Sequence, residues 1–261
     1  MRHWTHPRIS LKKMARFDKL LDNLEAELDL ISPELREWNL SYFAQHRNRY
    51  KSDLELVQNN YRQGPILEIG SLPCHLTYCL KKLGYEVIGL DIEPKRAEKF
   101  IKKHELNIIK CDIETDKIPF NNESFHLIIF NEIFEHLRID PIWTLKEIHR
   151  ILSPTGRLIL STPNLYHWRN ITSFLKGRGL GDAYAQFEKL HTLGHMGHVR
   201  EYSSKEVKLF LEKSGFELTN IIYKSYDTPK RFYRGLRKKI IYRVIPSFRP
   251  YLVFISTKAK T

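Results

Sequence analysis

Apolar residues recur at helical spacing in the N-terminal part of the chain. Between Phe17 and Tyr61 they return every three or four positions, which is typical of helices that bury one face. Ser32-Pro33 separates two such stretches and suits the start of a second helix, because serine caps a helix and proline fits its first turn. The pattern predicts a helical extension over residues 1–62. Its main apolar positions are Leu20, Leu21, Leu24, Leu28, Leu35, Trp38, Tyr42 and Phe43.

After Gly64 the pattern changes to short apolar runs, each followed by an amphipathic stretch. The first five runs are Ile66–Ile69, Glu86–Leu90, Asn107–Ile109, Leu127–Phe130 and Arg157–Ser161. Strands that alternate with helices favour a mainly parallel sheet with helices on both faces. The predicted fold class is therefore α/β, in a region that covers residues 63–261.

The segment 164–200 interrupts this alternation. It contains five glycines and four histidines, a composition typical of a long functional loop or lid insertion. A capped helix follows over 203–215, with Ser203 or Ser204 at its N-cap and Gly215 at its end. Two terminal strands are predicted at Phe216–Tyr223 and Tyr251–Ser256, because apolar runs return there.

A strongly basic and aromatic insertion, residues 225–249, lies between these last two strands. If its core, 230–245, is helical, it could lie on an anionic membrane surface with its basic side chains reaching outward. A solvated basic face packed on the fold is the simpler interpretation. Nucleic-acid binding is a weaker alternative, since the segment carries no recognised RNA-binding motif.

The net charge of the whole chain is +13, which favours an acidic partner such as a nucleic acid, an anionic membrane or a phosphorylated substrate. The three cysteines, Cys74, Cys79 and Cys111, have no metal-ligand spacing and are expected to be reduced thiols. The basic start of the chain lacks a signal-peptide core, and no apolar run approaches transmembrane length. We therefore expect a cytoplasmic protein, with peripheral membrane contact as an alternative.

Polar residues follow four successive strands of the predicted sheet. The first strand runs directly into a turn at Gly70, where glycine lets the backbone approach a ligand closely. Asp91 ends the second strand about 20 residues later, the separation at which an acid meets a nucleotide ribose. The third strand ends in Cys111-Asp112-Ile113 and the fourth in Phe130-Asn131-Glu132. Open α/β sheets bind ligands at this edge.

These segments resemble the class I S-adenosylmethionine-dependent methyltransferases, especially their small-molecule group. Residues 66–75 look like the first motif of that family, and Gly89-Leu90-Asp91 looks like the second. Residues 119–136 look like the region around the family's fourth strand, and 147–156 like the helix and turn before its fifth.

The resemblance covers about Ile66 to Pro163 and returns from His198 to Phe216. It implies a Rossmann-like, doubly wound, mostly parallel sheet of seven strands, and methyl transfer from S-adenosylmethionine that leaves S-adenosylhomocysteine. It also implies a set of cofactor contacts, in which Glu68 and Gly70 shape the methionine end, Asp91 holds the ribose and Asp112 with Ile113 contacts the adenine. The full implied set is Glu68, Gly70, Ser71, Asp91, Ile92, Asp112, Ile113 and Asn131.

One departure concerns the turn after the first strand. The family usually has further glycines where this chain has Leu72 and Cys74. The turn is therefore bulkier than is typical, which bears on the depth and affinity of cofactor binding.

Methyl transfer is an in-line displacement, so the protein mainly aligns two reactants and excludes water. A base is needed only for an acceptor that carries a proton. His136 with the adjacent Glu135 is the first candidate, because imidazole titrates near neutrality. The histidines of the lid are further candidates for that base. The residues expected to contact the acceptor are His195, His198, Arg200 and Tyr202, although Arg200 and Tyr202 could equally anchor the lid to the core.

The lid histidines His191, His195 and His198 also suggest a metal site. Gly194 and Gly197 argue against a helix that would align them, and the sequence shows no acid or cysteine that clearly completes a site. We therefore expect no metal.

The sequence thus predicts methyl transfer from S-adenosylmethionine to a small-molecule or lipid- or glycan-linked acceptor, with oxygen favoured by the resemblance. RNA is the alternative acceptor, suggested by charge. A non-catalytic binding or scaffold protein is the alternative class, suggested by the missing glycines of the turn.

Overall fold

The computed structural model describes residues 11–28, 36–180, 184–185, 187–188, 191, 197–226 and 240–259. The expected helix junction at Ser32-Pro33, His195 and most of the basic insertion lie outside these residues. The helices are α1 (Leu11–Glu25), α2 (Arg36–Asn60), α3 (His75–Lys82), α4 (Glu98–Lys103), α5 (Pro141–Ile151), α6 (Trp168–Phe174) and α7 (Ser204–Lys213). The strands are β1 (Ile66–Ile69), β2 (Val87–Asp91), β3 (Ile108–Lys110), β4 (Phe125–Asn131), β5 (Leu152–Pro163), β6 (Phe216–Lys224) and β7 (Tyr251–Lys258).

The strands form one seven-stranded sheet in the order β3-β2-β1-β4-β5-β7-β6. Neighbouring strands from β3 to β5 are parallel, and β7 runs antiparallel to both β5 and β6. The sheet confirms the predicted Rossmann-like, mostly parallel α/β fold. Among the described residues, no helix is long and apolar enough to cross a bilayer.

The order of the strands creates a crevice at the carboxyl end of β1. The chain builds outward from β1 to β3 and then returns to place β4 on the other side of β1, so Ile66 pairs with both Val87 and Leu127. At such a reversal the connections leave on opposite faces of the sheet, and ligands of open α/β sheets bind there.

Helices α1 and α2 pack with α3 against one face of the sheet. Their apolar stripes supply fully buried residues, including Leu21, Phe43 and Leu54, that share a core with Ile66 and Leu127 of the sheet. Helices α5 and α7 contribute to a second core on the opposite face. The N-terminal helices therefore form part of the structure around the crevice.

Helix α7 shows how local sequence fixes an element. The Ser203 hydroxyl accepts a hydrogen bond from the Glu206 amide at 3.3 Å, and the Glu206 carboxylate accepts one from the Ser203 amide at 2.8 Å. This capping box selects Ser203 over Ser204 as the N-cap.

The strand bounds agree with the sequence prediction to within two residues, except at β5. That strand begins at Leu152 instead of Arg157. Its pairing with β4 shifts between Phe125 and Leu127, so the Pro154–Gly156 region forms an irregular part of the strand. Buried Leu152 keeps this segment on the sheet.

Candidate active site

The turn after β1 is tied to the end of β2. The amides of Gly70 and Ser71 donate to the Leu90 carbonyl at 2.8 and 3.0 Å. The Asp91 carboxylate accepts from the Leu72 amide at 2.9 Å and from the Glu93 amide at 3.1 Å. A carboxylate has about four acceptor positions, so Asp91 keeps capacity for a ligand while it orders the turn.

Gly70 is required by the backbone and by its surroundings. Its φ is +73°, in the left-handed region that side chains disfavour. A Cβ there would lie 2.1 Å from Cδ1 of Ile133. The chain therefore brings Ile133, just after β4, directly against the turn after β1.

The turn keeps a glycine-like backbone conformation at Cys74, one of its two bulkier residues. Cys74 has φ +69°, the conformation that a glycine would adopt without strain. Its side chain is fully buried, and burial raises the pKa of the Cys74 thiol well above its usual range. Leu72 packs against the core while its amide reaches Asp91. The missing glycines thus leave the contact between the turn and Asp91 intact.

Glu68 lies on β1 beneath the turn and is buried. Its carboxyl accepts a hydrogen bond from the Thr77 hydroxyl. Burial, together with the nearby charges of Asp53 and Asp91, raises the pKa of Glu68 to about 8, against the hydrogen bond from Thr77. The side chain is therefore mainly protonated near neutral pH in the absence of a bound cation.

Further residues of the expected cofactor contacts follow β2 and β3, where Asp112 and Ile113 are those expected to meet the adenine. Ile92 is 53% exposed directly after Asp91. Asp112 accepts from the Glu114 amide at 3.0 Å, and the Ile113 carbonyl accepts from the Thr144 hydroxyl at 3.1 Å. An exposed apolar side chain next to fixed polar groups suits the face and edge of a purine.

Past β4, a 3₁₀ turn over Phe134–His136 presents a buried carboxylate. The Thr162 hydroxyl donates to Oε2 of Glu135 at 2.9 Å, whereas Oε1 is buried and has no hydrogen-bond partner among the described residues. Burial raises the pKa of Glu135 well above its usual range, and the charge of Glu132 adds to that effect. Oε1 faces two imidazoles, with Nε2 of His136 at 3.9 Å and Nε2 of His198 at 4.0 Å.

The end of the lid is fixed against this 3₁₀ turn. The amides of Val199 and Arg200 both donate to the Glu135 carbonyl, at 2.9 and 3.2 Å. Nδ1 of His136 lies 3.0 Å from the Gly197 carbonyl. The rings of His136 and His198 meet edge to face at 5.2 Å between centroids. The structure thus brings His198 to the predicted pair Glu135 and His136.

Helix α2 adds charged residues that sequence analysis missed. Arg49 is buried, donates to the Tyr42 hydroxyl at 3.1 Å and has Nη1 3.9 Å from Oε2 of Glu132. Asp53, one turn later, is also buried, and burial raises its pKa to about 7 against the opposing charge of Arg49. Both residues interrupt the apolar stripe of α2, and this interruption is the feature of the sequence from which they could have been identified.

Glu132 joins α2 to the end of the sheet. It has φ +56°, unusual for a residue with a side chain, and its carboxylate accepts from the Ser161 hydroxyl at 2.7 Å. The Asn131 amide hydrogen-bonds Asp53 and lowers its pKa. Oδ1 of Asn131 is buried and, within the described part of the chain, without a partner. Asn131 was a predicted cofactor contact, whereas the sequence indicated no role for Glu132.

Two residues expected to contact the acceptor, Arg200 and Tyr202, make contacts within the protein. Tyr202 is buried against Phe134 and Phe210. Arg200 stacks over the Tyr202 ring at 5.2 Å and pairs with Glu206 at 2.6 Å. These contacts favour the alternative in which both residues anchor the lid.

A family profile described as a methyltransferase domain matches residues 42–221, more than half of the chain. The chain belongs to this methyltransferase family. The match begins within α2 and ends within β6, so it includes both the turn after β1 and the 3₁₀ turn after β4. No curated protein sequence matches the chain.

Solved structures of methyltransferases share the fold. One from Thermotoga maritima, described as a possible histamine N-methyltransferase, has a TM-score of 0.58 at 19% identity over 88% of this chain and 99% of its own. A structure from Haloferax volcanii, described as a complex between the Trm112 methyltransferase activator and the putative methyltransferase, has a TM-score of 0.58 at 16% identity over 94% of this chain and 98% of its own.

A third similar structure is the 1,6-didemethyltoxoflavin-N1-methyltransferase of Burkholderia thailandensis, which contains its substrate and S-adenosylhomocysteine. Its TM-score is 0.55 at 15% identity, over 98% of this chain and 94% of its own. Family and fold together confirm the predicted class, a class I S-adenosylmethionine-dependent methyltransferase.

The residues at the strand ends fit this cofactor. Gly70 forms the turn, and the side-chain oxygens of Ser71 and Asn131 are buried without hydrogen-bond partners among the described residues. Buried polar atoms are normally paired, so such atoms at the edge of a crevice indicate a ligand. Asp91 retains free acceptor positions on the same edge.

Proposed function

We propose that this methyltransferase acts on an oxygen of a small-molecule or lipid- or glycan-linked acceptor, bound between the end of β4 and helix α2. The observation that carries this proposal is the buried Oε1 of Glu135, which lacks a hydrogen-bond partner within the described residues and faces two imidazole nitrogens. A hydroxyl has a proton to donate to such an oxygen.

In this proposal the cofactor lies across the ends of β1, β2 and β3. Asp91 accepts the ribose hydroxyls, and Ile92 with Asp112 and Ile113 borders the adenine. Gly70, Ser71, Glu68 and Asn131 surround the methionine portion and direct the methyl group toward the 3₁₀ turn. A carboxyl such as Glu68 suits the positive charges of the cofactor's sulfonium and ammonium groups.

The acceptor side has the chemistry that an oxygen nucleophile needs. A neutral hydroxyl is a weak nucleophile, and it attacks readily only as its proton leaves. The group of Glu135, His136 and His198 can hold the acceptor oxygen, and Arg49 with Glu132 closes the site from the side of α2. Because Glu135 and Arg49 are buried, their interactions with an acceptor are stronger than they would be in water.

Nitrogen is the competing acceptor atom. Two of the similar structures are described as N-methyltransferases, although their low identity supports only the fold. A neutral amine has a free lone pair and does not require a buried carboxylate with two imidazoles. The polar group after β4 therefore favours oxygen.

The first test is calorimetric titration of the full chain with S-adenosylmethionine and S-adenosylhomocysteine, repeated on Asp91→Ala and on the exposed control Asp22→Ala. Hydrogen bonds to a charged group contribute about 1.5–3 kcal/mol each. Loss of the Asp91 carboxylate should therefore weaken binding about a hundredfold or more, with Asp22→Ala unchanged. Undiminished binding by a folded Asp91→Ala would contradict the proposed cofactor position.

The acceptor atom is tested by incubating the protein with labelled S-adenosylmethionine and paired acceptors that differ only in a hydroxyl or an amine. Transfer to the hydroxylated member of each pair is the expected result. Exclusive transfer to amines would refute the oxygen assignment, and transfer to RNA alone would support the alternative that the net charge suggested.

A further inference from the structure

Three side chains after β4 and at the end of the lid converge on one point. One carboxylate oxygen of Glu135 and one ring nitrogen each of His136 and His198 all lie within 4.8 Å of one another. Nε2 of each histidine is about 4 Å from Oε1 of Glu135, at 3.9 and 4.0 Å. Direct hydrogen bonds have lengths of about 2.7–3.2 Å, so these atoms are too far apart to bond each other and close enough to share an atom between them.

The second nitrogen of each ring is held by an acceptor. Nδ1 of His136 lies 3.0 Å from the Gly197 carbonyl, and Nδ1 of His198 lies 3.3 Å from the Glu201 carboxylate. Because both partners accept hydrogen bonds only, Nδ1 carries the proton in each ring. Nε2 then presents its lone pair toward Glu135 in the neutral imidazole. Metal-binding histidines are typically oriented by such partners.

The carboxylate is also oriented for a ligand. Glu135 is 1% exposed, and its Oε2 is bound by the Thr162 hydroxyl. Oε1 is the buried atom without a hydrogen-bond partner in the described residues, and it is the oxygen that faces both rings. Asn170 in turn holds Glu201 at 2.8 Å, so the partner of His198 is fixed as well.

Charge around the cluster favours a cation. Glu135 and Glu201 place two carboxyl groups beside the two imidazoles, and Glu132, three residues before Glu135, adds a third on this side of the site. Within this described region, Arg49 is the arginine that approaches the group, and it faces Glu132 at 3.9 Å. The carboxyl groups around the cluster therefore suit a divalent cation.

We propose that Glu135, His136 and His198 bind a divalent cation that holds the acceptor oxygen, an inference that rests on the proposed oxygen methyl transfer. Two imidazoles with one carboxylate suit a first-row ion such as Mn²⁺, Fe²⁺, Co²⁺ or Zn²⁺ better than Mg²⁺. Atoms that share such an ion at about 2.0–2.2 Å lie about 3.0–4.4 Å apart. The histidine side chains are 37% and 41% exposed, so they have room for the small contraction needed.

The ion supplies the activation that the oxygen acceptor needs. A hydroxyl bound to the cation has a lower pKa and loses its proton to water. With the ion bound, Glu135 holds the cation and does not itself accept that proton. An oxygen lone pair then forms the bond to the methyl carbon as the carbon–sulfur bond breaks. The electron pair of that bond stays on sulfur and gives S-adenosylhomocysteine. The three protein ligands leave positions on the ion for the acceptor.

The test is calorimetric titration of the chelator-treated full chain with Mn²⁺, with and without S-adenosylhomocysteine. We expect one Mn²⁺ per chain and at least tenfold weaker binding in Glu135→Gln and in His198→Ala. His198 lies on a partly exposed segment, so its variant remains informative if Glu135→Gln fails to fold. The matched control is His104→Gln. Nε2 of His104 lies 3.6 Å from the Glu27 carboxylate, and no third metal-ligating side chain among the described residues joins this pair.

Binding of Mn²⁺ that both cluster variants weaken and the control preserves supports the cation site. Absence of Mn²⁺ binding, or equal binding by all variants, overturns it. Titration of the same samples with S-adenosylhomocysteine keeps the two proposals separate, since cofactor binding without Mn²⁺ binding leaves the methyltransferase proposal standing and removes only the cation.

Discussion

The replacement of Glu68 by glutamine tests whether a buried carboxyl of the cofactor site limits stability. In the folded chain the pKa of Glu68 is raised from 4.5 to about 8, mainly by burial. Between these two values the folded state keeps a proton that the unfolded state has lost, so its stability falls as pH rises from about 4.5 to about 8. Glutamine has similar shape and does not titrate, and it therefore removes this fall.

The magnitude follows from the separation of the two pKa values. One pKa unit corresponds to about 1.4 kcal/mol, so at pH 7 the wild type loses about 3 kcal/mol relative to pH 4.5. Glu68→Gln should match the wild type near pH 4.5 and be more stable by about 3 kcal/mol at pH 7. For a chain of this size that difference raises the Tm by roughly 6–12 °C.

The assay is thermal unfolding of both proteins at a series of pH values from 4.5 to 8, with exposed Glu98→Gln as control. The control should leave the dependence of stability on pH close to that of the wild type, because its ion pair with Lys102 is exposed. Parallel pH curves for wild type and Glu68→Gln would show that Glu68 ionises normally and would refute the reasoning. The same variant should bind S-adenosylmethionine more weakly, since a neutral amide attracts the cofactor's positive charges less than a carboxylate does.

Three further changes test the packing around the site. Gly70→Ala should destabilise the chain by at least about 2 kcal/mol more than Gly84→Ala in denaturant unfolding. Both glycines have positive φ, but of the two only Gly70 lacks space for a Cβ. Equal losses of stability would contradict the close contact between Gly70 and Ile133. Ser203→Ala should cost about 1 kcal/mol through loss of the helix cap, measured in the same way, and an unchanged midpoint would argue against the capping box. Arg49→Gln should lower the free energy of unfolding by about 3–5 kcal/mol, because it breaks a buried pair with Glu132. Arg47→Gln breaks a partly exposed ion pair and should lower it by less than about 1 kcal/mol. A larger loss for Arg47→Gln than for Arg49→Gln would show that the buried cluster is not paired as described.

The sequence alone was sufficient to predict most helices and strands and the cofactor side of the candidate site. Short apolar runs placed β1 to β4 closely, because strands of a covered parallel sheet are mostly apolar, and the serine N-cap with the terminal glycine placed α7. Gly70 and Asp91 were identifiable for the same reason, because each lies directly at the end of a strand. The start of β5 was missed because proline and glycine resemble a turn locally, while pairing with β4 holds the segment on the sheet.

Only the tertiary structure decided the acceptor side. His136 and the carbonyl that orients it are 61 positions apart, and Arg49 reaches Glu132 from a helix that precedes the whole sheet. Local patterns carry no information about such contacts, since they depend on how the lid and α2 pack over the crevice. For that reason the sequence showed lid histidines without an acid to complete a site, and the fold placed Glu135 beside one of them.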